Sequence, residues 1–166
     1  MQFFSAADIE IFSITNGNQI IDTVLEFKAP GVTLRSKLID GTYPDIERVI
    51  PQETTDQIEI RADEILSAIR QATAIGGWRG SAIRLHGVGG RLAVEVRNAD
   101  LGMAKVATSA KWPEGVEEIG VNSRYMAETV KRCQGSITLK LSGKGAPITF
   151  SDQDAEMTRL VMPMRV

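Results

Sequence analysis

The chain has 166 residues, of which 43% are hydrophobic and 24% charged, and its net charge is −2. That is enough apolar material for one packed domain or one and a half, and it argues against disorder. A single cysteine, Cys133, and a single histidine, His86, exclude an intrachain disulfide and a thiolate zinc site, and the charge balance gives no bulk pull toward nucleic acid, although a local basic stripe stays open.

Strands are expected first. Asp8 to Ile14 carries Ile9, Ile11, Phe12 and Ile14 among polar neighbours, Asn16-Gly17 is a tight-turn dipeptide, and Gln19 to Phe27 reads as the returning strand. Pro30-Gly31 breaks it, and Val32 to Ile39 reads as a third strand. Asp40 to Pro44 reads as a turn, and the polar stretch through Pro51 to Asp56 as a linker. Ile65, Leu66, Ile69 and Ala72 then recur at helical spacing behind Asp63 and Glu64, with Gly76-Gly77 as the stop. Strands follow at Ser81 to His86, Arg91 to Arg97 and Gly102 to Ser109, the first turn lying at Gly87 to Gly90.

The order then repeats. Val116 to Val121 reads as a short strand and Asn122 as a helix cap. Tyr125, Met126, Val130 and Cys133 share one helical stripe, and Gly135 ends it. Strands are expected at Ser136 to Leu141, Pro147 to Phe150 and Met157 to Met162. Residues 57 to 166 therefore carry a β-α-β-β-β unit twice, opening alike as Ile58-Glu59-Ile60-Arg61-Ala62-Asp63 and Glu118-Ile119-Gly120-Val121-Asn122-Ser123. Such duplication predicts an α+β, pseudo-symmetric domain with two helices packed on antiparallel sheets, preceded by a half-domain of strands. The expected division is 1–54 and 55–166.

Catalytic chemistry finds little support. His86 stands without converging ligands, and neither HExxH nor GxSxG occurs. Gly87-Val88-Gly89-Gly90 lacks the following helix and the Lys-Ser/Thr pair of a phosphate loop, so it reads as a hairpin turn. Cys133 reads as a core thiol. No cofactor, no metal and no enzymatic activity are expected. Met1 to Ala7 does not resemble a signal peptide, no stretch has the apolar length of a membrane span, and the cysteine usage fits a cytoplasmic protein.

Two features suggest binding instead. Arg61 and Arg70 belong to the first helical segment and Lys131 and Arg132 end the second, where solvated capping competes with a basic face for the DNA backbone. The C-terminus, Leu160-Val161-Met162-Pro163-Met164-Arg165-Val166, is apolar almost to its last residue, whereas an ordinary terminus is polar and frays. Leu160 and Met162 should face one side of a strand and Val161 the other, with Pro163 ending the ladder. Met164 and Val166 then lack an internal use, and methionines suit adaptable grooves. A terminal strand tucked into the core is the alternative.

The same residues carry a resemblance. The ending Val161-Met162-Pro163-Met164-Arg165-Val166 is similar to the Val-Met-Pro-Met-Arg-Leu ending of bacterial DNA sliding clamps, the beta subunits of DNA polymerase III. Leu38-Ile39-Asp40-Gly41-Thr42-Tyr43-Pro44-Asp45-Ile46-Glu47-Arg48-Val49-Ile50-Pro51 resembles a second clamp signature, and Val121-Asn122-Ser123-Arg124-Tyr125 a third, in family order. The resemblance runs from about residue 8 to 166 and implies a DNA-clamp fold: the second half of domain two plus a complete domain three. It implies a non-enzymatic replication or repair protein that encloses double-stranded DNA without reading sequence and docks partners carrying clamp-binding motifs. The matching pocket positions are Pro44, Arg48, Val49, Trp78, Asn122, Tyr125, Pro147, Leu160, Val161, Met162, Pro163, Met164 and Arg165. Missing from the chain are domain one and the front half of domain two, which walls the deep part of the pocket, and Val166 stands where leucine is usual. An open half-domain predicts self-association through residues 1 to 50, with four chains supplying the six domain equivalents of a ring. The competing function is an interaction module that modulates replication proteins without encircling DNA.

Overall fold

The computed structural model describes residues 10–16, 19–39, 41–42, 45–75, 82–153 and 157–166, with the backbone alone for 11–23. The chain divides into two compact units, Met1–Pro44 and Asp45–Val166. Gly17 of the expected first turn, the Gly76-Gly77 stop, and the candidate site residues Pro44 and Trp78 lie outside the described residues.

In the first unit β1 (Glu10–Asn16), β2 (Gln19–Ala29) and β3 (Val32–Lys37) form an antiparallel sheet in the order β1-β2-β3. Ala29 pairs with Val32 across Pro30-Gly31, and Gly31 has φ 77°. Proline followed by a glycine at positive φ is the combination a type II turn needs. Val32 and Leu34 are both exposed on β3.

The linker expected before Asp56 contains a short helix, α1 (Ile46–Val49), capped by Asp45, whose carboxylate accepts from Glu47 N at 3.2 Å. The second unit continues with β4 (Asp56–Arg61), α2 (Ala62–Thr73), β5 (Ala82–Val88), β6 (Arg91–Asn98), β7 (Gly102–Lys111), β8 (Ile119–Asn122), α3 (Ser123–Val130), β9 (Ser136–Leu141), β10 (Ile148–Ser151) and β11 (Arg159–Val161). This is β-α-β-β-β twice, as the repeat predicted.

The sheets do not follow the repeats. One has the order β11-β10-β9-β4 and the other β7-β6-β5-β8. Each repeat lends its first strand to the hairpins of the other: β4 pairs with β9 and β8 with β5. Even the first amide of α2 is satisfied from the other repeat, since Ala62 N donates to Gly135 O at 2.9 Å. Neither repeat can complete a sheet alone, so the two form one cooperative unit.

The helices fit this frame by counting from their caps. Four, eight and eleven residues past Arg61 stand Ile65, Ile69 and Ala72, and past Asn122 stand Met126, Val130 and Cys133; all six are buried. Together with Ile58, Ile83, Leu85, Leu92, Val94, Val121, Ile137, Leu139 and Ile148 they form one core between helices and sheets.

Three expectations are corrected. Cys133 is not helical: α3 ends at Val130, and the buried thiol donates to Thr129 O at 3.4 Å from the turn beyond. Burial pushes that thiol's pKa up, which suits an inert core group. The strand expected from Val116 starts only at Ile119. Arg61 closes β4 and caps α2 rather than lying within the helix.

Candidate partner-docking site

The C-terminal tail is the centre of the candidate site. β11 pairs with β10, placing Val161 opposite Ile148 and Leu160 opposite Thr149. The alternation read from the sequence holds: Val161 is 3% exposed and joins the core, while Leu160 is half-buried and Met162 is 54% exposed. Beyond Val161 the tail crosses to the other sheet. Pro163 bridges Val121, and Met164 N donates to Gly120 O at 2.8 Å. Met164 is left 41% exposed, and Arg165 and Val166 are exposed too. The tail is therefore fastened by its backbone while its methionines reach solvent.

Asn122, which ends β8 and caps α3, and Tyr125 on α3 flank it. The Asn122 side-chain oxygen accepts from Arg124 N at 3.0 Å and Tyr125 N at 3.2 Å, satisfying two of the amides a helix start leaves orphaned. That cap fixes the first turn, from which Tyr125 stands 61% exposed. A shallow groove of about 430 Å³ joins Tyr125 to Leu160, between Glu128, Thr129, Arg132, Thr158 and Arg159. A second groove, about 570 Å³, lies between segment 115–120, turn 143–146 and Pro163 to Arg165. The Lys144–Glu117 ion pair, 2.8 Å, spans these two segments, and its hydrogen bond holds the Glu117 carboxyl below the usual range.

The structure brings Tyr125 and Leu160 into one groove and Pro163, Met164 and Arg165 into the other, while Asn122, Val161 and Met162 line neither. Pro147 precedes β10, is buried and lines neither groove. Arg48 and Val49 sit on α1, where Arg48 pairs with Asp45 at 3.0 Å. Among the described residues they line neither groove.

The candidate DNA-facing residues have mixed surroundings. The Arg61 guanidinium binds both Asp63 oxygens, at 3.0 and 2.6 Å, and holds that carboxyl below its ordinary value. Arg70, Lys131 and Arg132 are exposed. Sequence reading missed Arg124, which pairs with Glu128 at 2.8 Å one helical turn on. The Glu128 carboxyl is lowered first by Arg124 and further by Lys131 and Arg132. Residues 61–73 and 122–132 carry five cations against three carboxylates, a modest basic surplus rather than a uniform patch.

His86, unremarkable in the sequence, lies 3.3 Å from Glu95, a carboxylate 1% exposed on β6. Arg97 at 2.6 Å and Lys105 at 3.1 Å complete the cluster. Burial would raise the Glu95 pKa, but hydrogen bonds from Lys105 and Arg97 together outweigh it and the carboxyl is lowered. The cluster is an ion-pair network on the sheet face opposite the core. Among the described residues no group of three or more His, Cys, Asp or Glu is placed to hold a metal, and no helix is long and apolar enough to cross a membrane.

Comparisons with known proteins converge. The profile of the family "DNA polymerase III beta subunit, C-terminal domain" matches residues 47–165. The beta sliding clamp of Caulobacter vibrioides is 26% identical over 150 residues, covering 89% of this chain and 40% of that protein. That of Bacillus subtilis is 28% identical over 167 residues, covering 94% and 44%. Among solved structures, a sliding clamp from Bartonella birtlesii bound to griselimycin superposes with a TM-score of 0.73 at 32% identity, covering 89% of this chain and 40% of that one. The Caulobacter crescentus pol III beta structure gives 0.74 at 25%. The chain thus spans about 40% of the length of the relatives it matches.

Proposed function

Because this chain belongs to the DNA polymerase III beta-subunit family, we propose that it is a non-catalytic clamp protein of DNA replication or repair, whose C-terminal tail grips short motifs of partner proteins. The observation that carries this is the exposure of Met162, Met164 and Tyr125 on a tail and helix whose backbones are pinned. Apolar side chains held on a fixed frame lose little freedom when a peptide covers them, which favours affinity. On this reading 55–166 is a complete clamp domain and 1–54 part of another. Asn122 and Arg165 serve as polar anchors, as peptide grooves need, while Arg48 and Val49 lie on α1 outside both grooves.

DNA contact in this proposal is sequence-independent and runs through Arg61, Arg70, Lys131 and Arg132, with Arg124 alongside; Asp63 pairs with Arg61, and Glu128 interacts with Arg124, Lys131 and Arg132. The mechanism is topological: a closed ring keeps hold of the duplex without tight contact, and copies of the chain associate to build it. The test is loading on nicked circular DNA followed by linearisation, with molar mass measured in parallel by light scattering. A clamp is retained on circles, is lost from free ends, and is larger than a monomer. A monodisperse monomer indifferent to DNA ends that still binds a clamp-binding peptide would replace this reading with the second one, a module that modulates replication proteins without encircling DNA.

A further inference from the structure

β8 carries a glycine at its second position, between Ile119 and the fully buried Val121. A glycine inside a strand weakens it and marks a bulge or a close backbone approach. Gly120 is not among the glycines with positive φ, so its backbone does not demand glycine. Space does. A Cβ there would collide with the Met164 carbonyl oxygen and would meet Val166 Cγ1 at 2.5 Å and Cγ2 at 2.7 Å.

Resting on the docking reading above, we propose that Gly120 is the positioning residue of the partner site: the tail lies in the space its missing side chain leaves. Two sides can give way if a Cβ is added. On one is β8, paired with β5 through Arg84 opposite Gly120 and Val121 opposite Ile83, at the heart of the core. On the other is a tail of five residues after Val161, tied by the Pro163–Val121 bridge and the Met164-to-Gly120 hydrogen bond. The tail is the cheaper element to move, because unseating it exposes only a few partly exposed side chains, whereas moving β8 opens the core. Met162 and Met164 move with it. The site is therefore set by a glycine whose missing side chain seats the tail.

The test is Gly120→Ala in the full chain with 13C-methyl-labelled methionine, read beside thermal melting and titration with a fluorescent clamp-binding peptide. In the wild type the Met164 amide exchanges at least tenfold slower than a free-chain amide. In the variant the Met162 and Met164 methyl signals move to free-chain positions and peptide affinity falls at least tenfold, while the melting temperature drops by less than about 5 °C. Unmoved Met164 signals in Gly120→Ala, or a Met164 amide exchanging at the free-chain rate in the wild type, would overturn the proposal. A free-chain rate at the wild-type amide overturns the proposal even if the variant does not fold. Because the methyl and amide readouts need no peptide, a wild type that binds none defeats the docking reading while leaving the seat testable.

Discussion

Replacing both tail methionines by alanine should weaken partner docking strongly and stability only slightly. Met162 is 54% exposed and Met164 is 41% exposed, so roughly half of each side chain remains to be buried by a partner. Full burial of a methionine side chain is worth about 1.5–3 kcal/mol. Half of that is about 1 kcal/mol per residue, or about 2 kcal/mol for the pair, which corresponds to a roughly 30-fold rise in Kd. The halves already covered by the chain set the loss in stability, on the same scale but softened because a free tail relaxes around a truncation. Fluorescence anisotropy with a clamp-binding peptide gives the first quantity and chemical denaturation the second. A Kd within twofold of wild type for Met162→Ala/Met164→Ala would refute the reasoning, since half-exposed methionines that lose nothing on truncation are not being gripped.

Three further outcomes follow from the geometry. Glu95 has a folded pKa below its ordinary value of 4.5; its contribution is complete above that value and disappears as pH falls through the folded one. Glu95→Gln should therefore destabilise the protein at neutral pH by about 1–3 kcal/mol and flatten the fall in stability below pH 4.5, as urea melts across pH will show; an unchanged acid limb would remove Glu95 from that role. Ile65, wholly buried where α2 meets the sheets, should cost about 2–5 kcal/mol as Ile65→Ala, lowering Tm on the order of 10 °C with both repeats melting together; separate transitions would contradict the exchanged strands. Reversing Arg70, Lys131 and Arg132 to glutamate should weaken binding to duplex DNA regardless of sequence and flatten its salt dependence by about one unit of slope for each phosphate no longer neutralised; an unaltered salt slope would place the DNA elsewhere.

Local chemistry was legible in the sequence. Pro30-Gly31 announced its turn, Asn122 its cap, and the stripes Ile65–Ile69–Ala72 and Met126–Val130 their buried faces. The alternation at Leu160, Val161 and Met162 was legible for the same reason: strand period is fixed by the backbone. What periodicity cannot carry is who pairs with whom. That β4 joins β9 and β8 joins β5 is a non-local choice, and no pattern within either repeat encodes it. The spacing of Cys133 fits a helical stripe and Gly135 looks like the stop, yet the helix ends with Lys131 as its C-cap. Glu95 looks like a solvent-facing strand residue and is buried, because Arg97, Lys105 and His86 close over it from its own and neighbouring strands. Gly120 offers one readable signal, a glycine inside an apolar strand, but its cause is a tail more than forty residues away in sequence.

The most direct measurement is a methyl and amide NMR titration of the full chain with a clamp-binding peptide. Perturbations should concentrate on Tyr125, Leu160, Met162 and Met164 and leave the β1-β2-β3 sheet and the Glu95 cluster untouched. Saturable binding whose perturbations bypass those four residues, or no perturbation at millimolar peptide, would contradict a tail built for other proteins to hold.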